Sequence, residues 1–183
     1  MATNSASAFS YLNELDKQFS PDVRSAISQD VQSLQSLHFR VENYNLLLPL
    51  DTSTEVINKI DYSPIPISRP WLLGVASIRG QLLTLIDLKS FLFNTDSAGS
   101  LKHKRVLTAR AGHVFLGLVV DQVVGMAQLW EMQNEARHPA AWDEAVVELL
   151  CGIYRKDDTY FGLCDIEKIV HHQRFMEMQQ TLY

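Results

Sequence analysis

The chain is short of cysteine, glycine, proline and positive charge, and each shortage removes a class of protein from consideration. Its 2 cysteines, Cys151 and Cys164, form no C-x-x-C pair, so neither a disulfide framework nor a cysteine-based metal site can organise the fold. With only 8 Gly and 6 Pro in 183 residues, low-complexity and collagen-like architectures are excluded. No apolar run approaches the roughly 20 residues needed to cross a bilayer. The opening stretch, MATNSASAFSYLNEL, has neither the basic start nor the apolar core of a secretory signal, and the expected location is the cytoplasm. A formal charge of -5 is the wrong sign for a phosphate-seeking surface. The densest basic cluster, Lys102, His103, Lys104 and Arg105, is short and has no interleaved aromatics; it reads as a solvated linker.

What the chain does contain is a doubled pattern. Arg40, Asp51, Gly74 and Asp87 are separated by 11, 23 and 13 residues, and Arg110, Asp121, Gly152 and Asp165 by 11, 31 and 13. Between these landmarks LLLPLD stands against LGLVVD, and LIDLKSFL against LCDIEKIV. Only the middle interval differs in length, as expected where a loop accepts an insertion while strands keep register. Short runs rich in Val, Ile, Leu, Phe and Tyr predict strands near 37–41, 45–50, 54–60, 74–78 and 82–87, then near 105–110, 114–120, 123–130, 151–155 and 159–164.

Five short strands per unit are too few for a sandwich, and an open sheet would leave two edges to protect. The expected fold is therefore mainly β: two small pseudo-symmetric barrels, with units about 36–93 and 104–166 and intertwining of the two left open. Residues 1–35 show helical spacing, with Phe9, Leu12 and Leu15 followed by Val23, Ile27, Val31 and Leu34, and Ser20-Pro21 reads as a helix start. Asp165 is expected to open a C-terminal helix over 166–183, with Ile166, Ile169, Val170 and Gln173 on one face.

If Arg79-Gly80 forms a two-residue hairpin loop, Ser77 faces Leu82 and Val75 faces Thr84. The same turn in the second unit is Asp157-Asp158, which places Cys151 opposite Cys164; both are read as small buried hydrophobes, with a disulfide between them as the geometric alternative that a reducing cytoplasm disfavours. The turn itself therefore needs no cation, and Arg79 is either a solubilising residue or an interface residue. Glu55 is the nearest carboxylate in the same unit, and an edge-strand charge is its plainer reading.

Signatures of catalysis are sparse. There is no G-x-S-x-G, phosphate-binding glycine loop, EF-hand or dinucleotide fingerprint. His171 and His172 are adjacent, so on a helix they point about 100° apart and cannot share a metal. Asp87 and Asp165 recur at equivalent strand ends, each before an apolar helix-like run, where Asp is a good N-cap; an enzyme using the two carboxylates is the competing reading. Trp130 is expected to pack in a core or at a barrel rim, while Trp71 and Trp142 stand open between packing and anchoring a partner.

The runs WLLGVASIRGQLLTLIDLKSFL, PLDTSTEVINKI and GLVVDQVVGMAQL resemble CheW-like domains, the adaptor fold of bacterial chemosensory arrays. The resemblance spans about residues 36–172, and its densest motif is GVxxxRGxxxxxxDL. The N-terminal extension and the Pro-Trp pair before Leu72 resemble the PilI-type branch that serves type IV pilus twitching. The resemblance implies a pair of SH3-like barrels with no catalytic activity and no cofactor. It also implies an adaptor joining the cytoplasmic tip of a methyl-accepting chemoreceptor to the regulatory domain of a CheA-type histidine kinase, recruited to receptor arrays at the inner membrane. By the same resemblance Arg79 and Glu55 are coupling residues; they are expected to meet across the barrel surface, with Val56 and Leu82 beside them, as the partner-binding set. The chain departs from the minimal form in residues 1–35 and in the stretch EMQNEARHPAAWDEAVVE. A small-ligand or oligonucleotide-binding barrel is the alternative from another class.

Overall fold

The computed structural model describes residues 35–50, 55–65, 69–95 and 104–181. The helical spacing read over residues 1–35 falls, but for its last residue, outside them, as does Asp51.

Two sheets carry the fold. In one the order is β8-β1-β2-β11-β10-β9, and in the other β3-β6-β7-β5-β4. The strands are β1 (Gln35–Val41), β2 (Tyr44–Pro49), β3 (Val56–Ile57), β4 (Leu72–Ile78), β5 (Gln81–Asp87), β6 (Arg105–Ala111), β7 (Val114–Val120), β8 (Gln122–Gln128), β9 (Gln133–Glu135), β10 (Leu150–Lys156) and β11 (Thr159–Cys164). If each strand is replaced by its counterpart in the other half of the sequence, one order becomes the other, with β9 as the extra member.

The barrels do not follow the sequence units 36–93 and 104–166. The hairpin β1–β2 sits with β8, β10 and β11, while β6–β7 sits with β3, β4 and β5. The joints are the parallel pairs β2 with β11 and β5 with β7. Each hairpin leaves an edge that its own unit does not cover, and pairing with the other unit covers both edges at once. Each sheet also closes on itself. Ser63 bridges to Val75 with N–H···O distances of 2.8 and 2.9 Å, and β9, reached from β8 through a 3-10 turn at Leu129–Glu131, pairs with β10.

Two strand readings change. The run 54–60 shrinks to Val56–Ile57, because the chain then leaves β6 for β4, which it reaches at the Ser63–Val75 bridge. In compensation, the stretch 131–148 contributes β9 and a short helix, α2 (Glu144–Val147), capped by Asp143 Oδ1 on Ala145 N.

Hydrophobic residues divide by strand face. Ala76, Leu83, Leu85, Val106 and Val119 fill the first barrel, and Leu47, Leu129, Tyr154, Phe161 and Leu163 fill the second. The opposite faces, with Phe39, Leu46, Leu48, Ile86, Leu107, Leu116 and Leu118 among them, pack together as one large shared core. Strands buried on both faces read as continuous apolar runs, which is why LLLPL and LGLVV show no alternation.

Asp87 and Asp165 are the expected caps. Asp87 Oδ1 accepts from Ser90 N at the start of α1 (Leu88–Phe93), and Asp165 Oδ1 accepts from Glu167 N at the start of α3 (Ile166–Val170). The C-terminal helix is not continuous: α3 ends at His171–His172 and α4 (Gln173–Thr181) begins anew. There His172 Nδ1 accepts from Arg174 N at 3.1 Å, and its ring meets Phe91 edge-on at 5.0 Å. A side chain that takes a backbone donor caps the new helix, which accounts for the break. Phe175 of α4 stacks on Trp71, which also meets Phe91 edge-on at 5.2 Å.

Candidate partner-binding site

The hairpin β4–β5 has the register that a two-residue loop requires: Ser77 faces Leu82 and Val75 faces Thr84. Arg79 takes φ 50° and Gly80 φ 79°, both left-handed, so the turn curls with the strand twist and carries the Arg79 side chain out from the barrel. Its guanidinium Nη1 lies 2.8 Å from Glu55 Oε1.

Glu55 is held from its backbone. Its N–H donates to Thr108 Oγ1 at 2.8 Å, and its carbonyl accepts from Thr108 N at 2.9 Å. The buried Thr108 on β6 thus fixes the start of β3, and the ion pair ties that start to the hairpin tip. Val56 is 42% exposed and Leu82 67%. All four residues expected at the site are therefore on the surface, on the two segments the pair joins. On the same hairpin Gln81 Oε1 accepts from Arg110, whose guanidinium lies 4.6 Å over the Phe115 ring.

The ion pair is not a device for stability. With side-chain exposures of 79% for Arg79 and 43% for Glu55, such a pair is worth about 0–1 kcal/mol. It joins two charged heads on a surface that also exposes Val56 and Leu82.

The second barrel lacks this arrangement. At the equivalent turn Asp157 takes φ 53°, so the left-handed conformation is kept without the cation. Val56 faces Leu107 across β3–β6, and Met126 faces Leu37 across β8–β1; the residue before each is Glu55 in one case and Gly125 in the other.

Other candidates resolve differently from their sequence readings. Cys151 and Cys164 do not face each other: a bulge between Leu150 and Gly152 pairs Cys164 with Leu150 and leaves Cys151 as the extra residue. Neither cysteine is in a disulfide; the Cys151 thiol donates to the Leu163 carbonyl at 3.5 Å, and burial pushes that of Cys164 far above its ordinary value. The equivalent bulge lies between Leu72 and Gly74; a loop-centred register count has no means of seeing it. Trp130 is 44% exposed rather than packed, whereas Trp71 is 2% exposed and Trp142 is half-buried against Tyr44, edge-on at 5.7 Å. Asp87 and Asp165 each cap a helix, and Asp87 has a further partner. Its Oδ2 accepts from Lys104 Nζ at 2.6 Å, so one of the basic residues read as a solvated linker is a structural partner. Among the described residues no group of three or more His, Cys, Asp or Glu is placed to hold a metal, and no helix is long and apolar enough to cross a membrane.

Comparison with known proteins places this geometry. The chain is 28% identical to the protein PilI of Pseudomonas aeruginosa over 153 residues, covering 84% of each. It is 26% identical to the chemotaxis protein CheW of Thermotoga maritima over 144 residues, covering 79% of this chain and 92% of that one. With the protein FrzA of Myxococcus xanthus it shares 27% over 115 residues, 63% of this chain and 70% of that one. The crystal structure of the scaffolding protein TtCheW from Thermoanaerobacter tengcongensis superposes with a TM-score of 0.62 at 17% identity, covering 78% of this chain and 95% of that one; this likeness concerns the fold. The model of the CheW-like domain matches residues 35–174, the span from the first residue of β1 to the start of the last helix, and the chain belongs to the CheW-like domain family.

Proposed function

We propose that this protein is a non-enzymatic adaptor that binds the cytoplasmic tip of a methyl-accepting chemoreceptor and the regulatory domain of a CheA-type histidine kinase, and that its output is type IV pilus twitching. The observation that carries the reading is the exposed Arg79–Glu55 pair flanked by Val56 and Leu82, present on one barrel and absent from its duplicate. Membership of the CheW-like family supports the adaptor role, and the similarity to PilI supports the pilus output. Two weak contacts made at once need no chemistry in the protein, since tethering raises effective concentration and so couples receptor to kinase.

Calorimetry of the purified protein against the kinase regulatory domain from the same genome tests the reading. Arg79→Ala and Glu55→Ala are expected to weaken binding by about 1–2 kcal/mol each, and the exchanged pair Arg79→Glu with Glu55→Arg to recover part of the loss, because the pair acts by positioning. Affinity unchanged in all three variants removes the contact from this patch. No binding to any such kinase or receptor tip removes the adaptor reading. Deletion is expected to abolish twitching and leave swimming intact.

A further inference from the structure

The two residues that hold the Arg79–Glu55 pair from behind lie two apart on β6, and so on one face of it. Thr108, 1% exposed, accepts the Glu55 amide on Oγ1 at 2.8 Å and donates its own amide to the Glu55 carbonyl at 2.9 Å. Arg110 donates to Oε1 of Gln81, the first residue after the Arg79-Gly80 turn, and its guanidinium rests 4.6 Å over the Phe115 ring. One strand therefore holds both halves of the pair, Glu55 at the start of β3 and Arg79 at the hairpin tip.

The second barrel is built without these contacts. The counterparts of Thr108 and Arg110 on β1 are His38 and Arg40, and those of Glu55 and Gln81 are Gly125 and Thr159. His38 bonds Asn45 Oδ1 on β2 instead, and the Gly125 opposite it in the ladder has no side chain to place. Arg40 keeps the cation, but Thr159 is too short to offer it an amide oxygen, and the buried Arg40 Nε has no hydrogen-bond partner among the described residues. The contacts from β6 are thus confined, like the ion pair itself, to one copy.

A guanidinium that is 79% exposed has much rotamer freedom to lose when a partner docks on it. Fixing Glu55 and the turn beforehand removes part of that cost. We infer that Thr108 and Arg110 are the positioning residues of this site: they set the Glu55 backbone and the hairpin tip so that the Arg79–Glu55 pair is formed before a partner binds. The inference rests on the partner-binding reading of the pair, and adds that these two residues act through it rather than by touching the partner.

Calorimetry of the full-length protein against the kinase regulatory domain, with nuclear magnetic resonance of the free protein, is the test. Thr108→Val keeps the shape and removes the hydroxyl; it is expected to weaken binding about three- to tenfold, the range of one hydrogen bond, and to speed exchange of the Glu55 amide. Thr108→Ser is expected to restore both, and Arg110→Met to weaken binding by a smaller factor. In an Arg79→Ala background neither substitution should weaken binding further, because no pair is left to position. Unchanged affinity in Thr108→Val or Arg110→Met, or a loss that Thr108→Ser does not restore, overturns the inference. So do losses of the same size in the Arg79→Ala background, since the two residues would then act on the fold or on the partner directly. If the wild type binds no such kinase, the adaptor reading is what fails, and the free protein decides the positioning. Side-chain Overhauser contacts between Arg79 and Glu55 that weaken in Thr108→Val and return in Thr108→Ser uphold it; contacts equal in all three overturn it. Should Thr108→Val lose its native circular dichroism, Arg110→Met and Gln81→Ala decide: equal, non-additive losses are expected, and additive ones overturn the inference.

Discussion

The two barrels share strand order, parallel joints, bulge position and capping aspartates, yet they differ at the hairpin tip and at the strand that meets it. In the first barrel that pair of positions is Arg79 and Glu55; in the second it is Asp157 and Gly125. What both keep is φ near 50° at the first turn residue. The fold asks for backbone geometry at these sites and is indifferent to charge, so the charge in one copy reports on something other than folding. Duplication supplies an internal control: a feature found in both copies is explained by the barrel, and a feature found in one needs a separate cause.

The widest difference should appear at the bulge glycines. A Cβ at Gly74, φ 153°, would stand 2.2 Å from the Ser63 carbonyl oxygen, which is backbone and itself part of the barrel closure. At the equivalent Gly152 the nearest atom is a carbon of the Tyr154 ring at 3.1 Å, which can move. Gly74→Ala is expected to destabilise by about 3 kcal/mol or more, and Gly152→Ala by about 1 kcal/mol or less. Urea midpoints with the slope held constant measure both; equal losses would mean that the closure at Ser63 is not what sets the constraint.

The capping aspartates come next. Asp87, 1% exposed, accepts both from the Ser90 amide and from Lys104, so its removal strands a partly buried ammonium as well as a helix end. Asp165 holds the Glu167 amide at a site 9% exposed. Asp87→Ala is expected to cost about 2–3 kcal/mol and Asp165→Ala about 1 kcal/mol. Lys104→Met made together with Asp87→Ala should recover part of the larger loss, and a double-mutant cycle with no coupling would show the ion pair to be idle.

These contrasts also show which parts of the structure could be read in the residues. Hairpin register followed from the two-residue loops, because side-chain alternation is strictly periodic. The caps followed from Asp before an apolar helical run. The residues alone gave the β4–β5 turn and Glu55 as the nearest carboxylate, and the expectation that Arg79 and Glu55 meet came from the resemblance to CheW-like domains. The exchange of hairpins between units was not, since parallel pairing of β2 with β11 and β5 with β7 joins residues more than 25 apart and leaves no local pattern. The bulges were hidden for the opposite reason: one extra residue in a run that is apolar on both faces changes nothing in its hydrophobic pattern. Trp130 misled because aromatic content indicates burial on average, while a 3-10 turn at a strand end points one side chain outward.

At the hairpin tips the comparison concerns binding rather than stability. Asp157→Ala should leave kinase affinity within error of wild type, while Arg79→Ala weakens it, and neither should change the unfolding free energy by more than about 1 kcal/mol. Equal effects of the two substitutions on affinity would show that the second barrel contributes a matching contact and that the asymmetry is only apparent.

The smallest effect is a pH dependence confined to the second barrel. His38 bonds Asn45 Oδ1 through Nε2 at 3.1 Å and meets Phe161 edge-on at 5.1 Å; its counterpart in the first barrel is Thr108. Burial lowers the His38 pKa below its ordinary value, with Arg40 adding to the shift and the Asn45 bond opposing it. A lowered folded pKa means that between that value and about 6.5 the unfolded chain binds a proton that the folded one refuses. Stability is therefore full above pH 6.5 and falls as the pH drops through this window, levelling once the folded imidazole is protonated too. Replacing His38 with Thr, the residue its duplicate uses, should flatten the slope over this interval. If the slope persists in the variant, it does not come from His38.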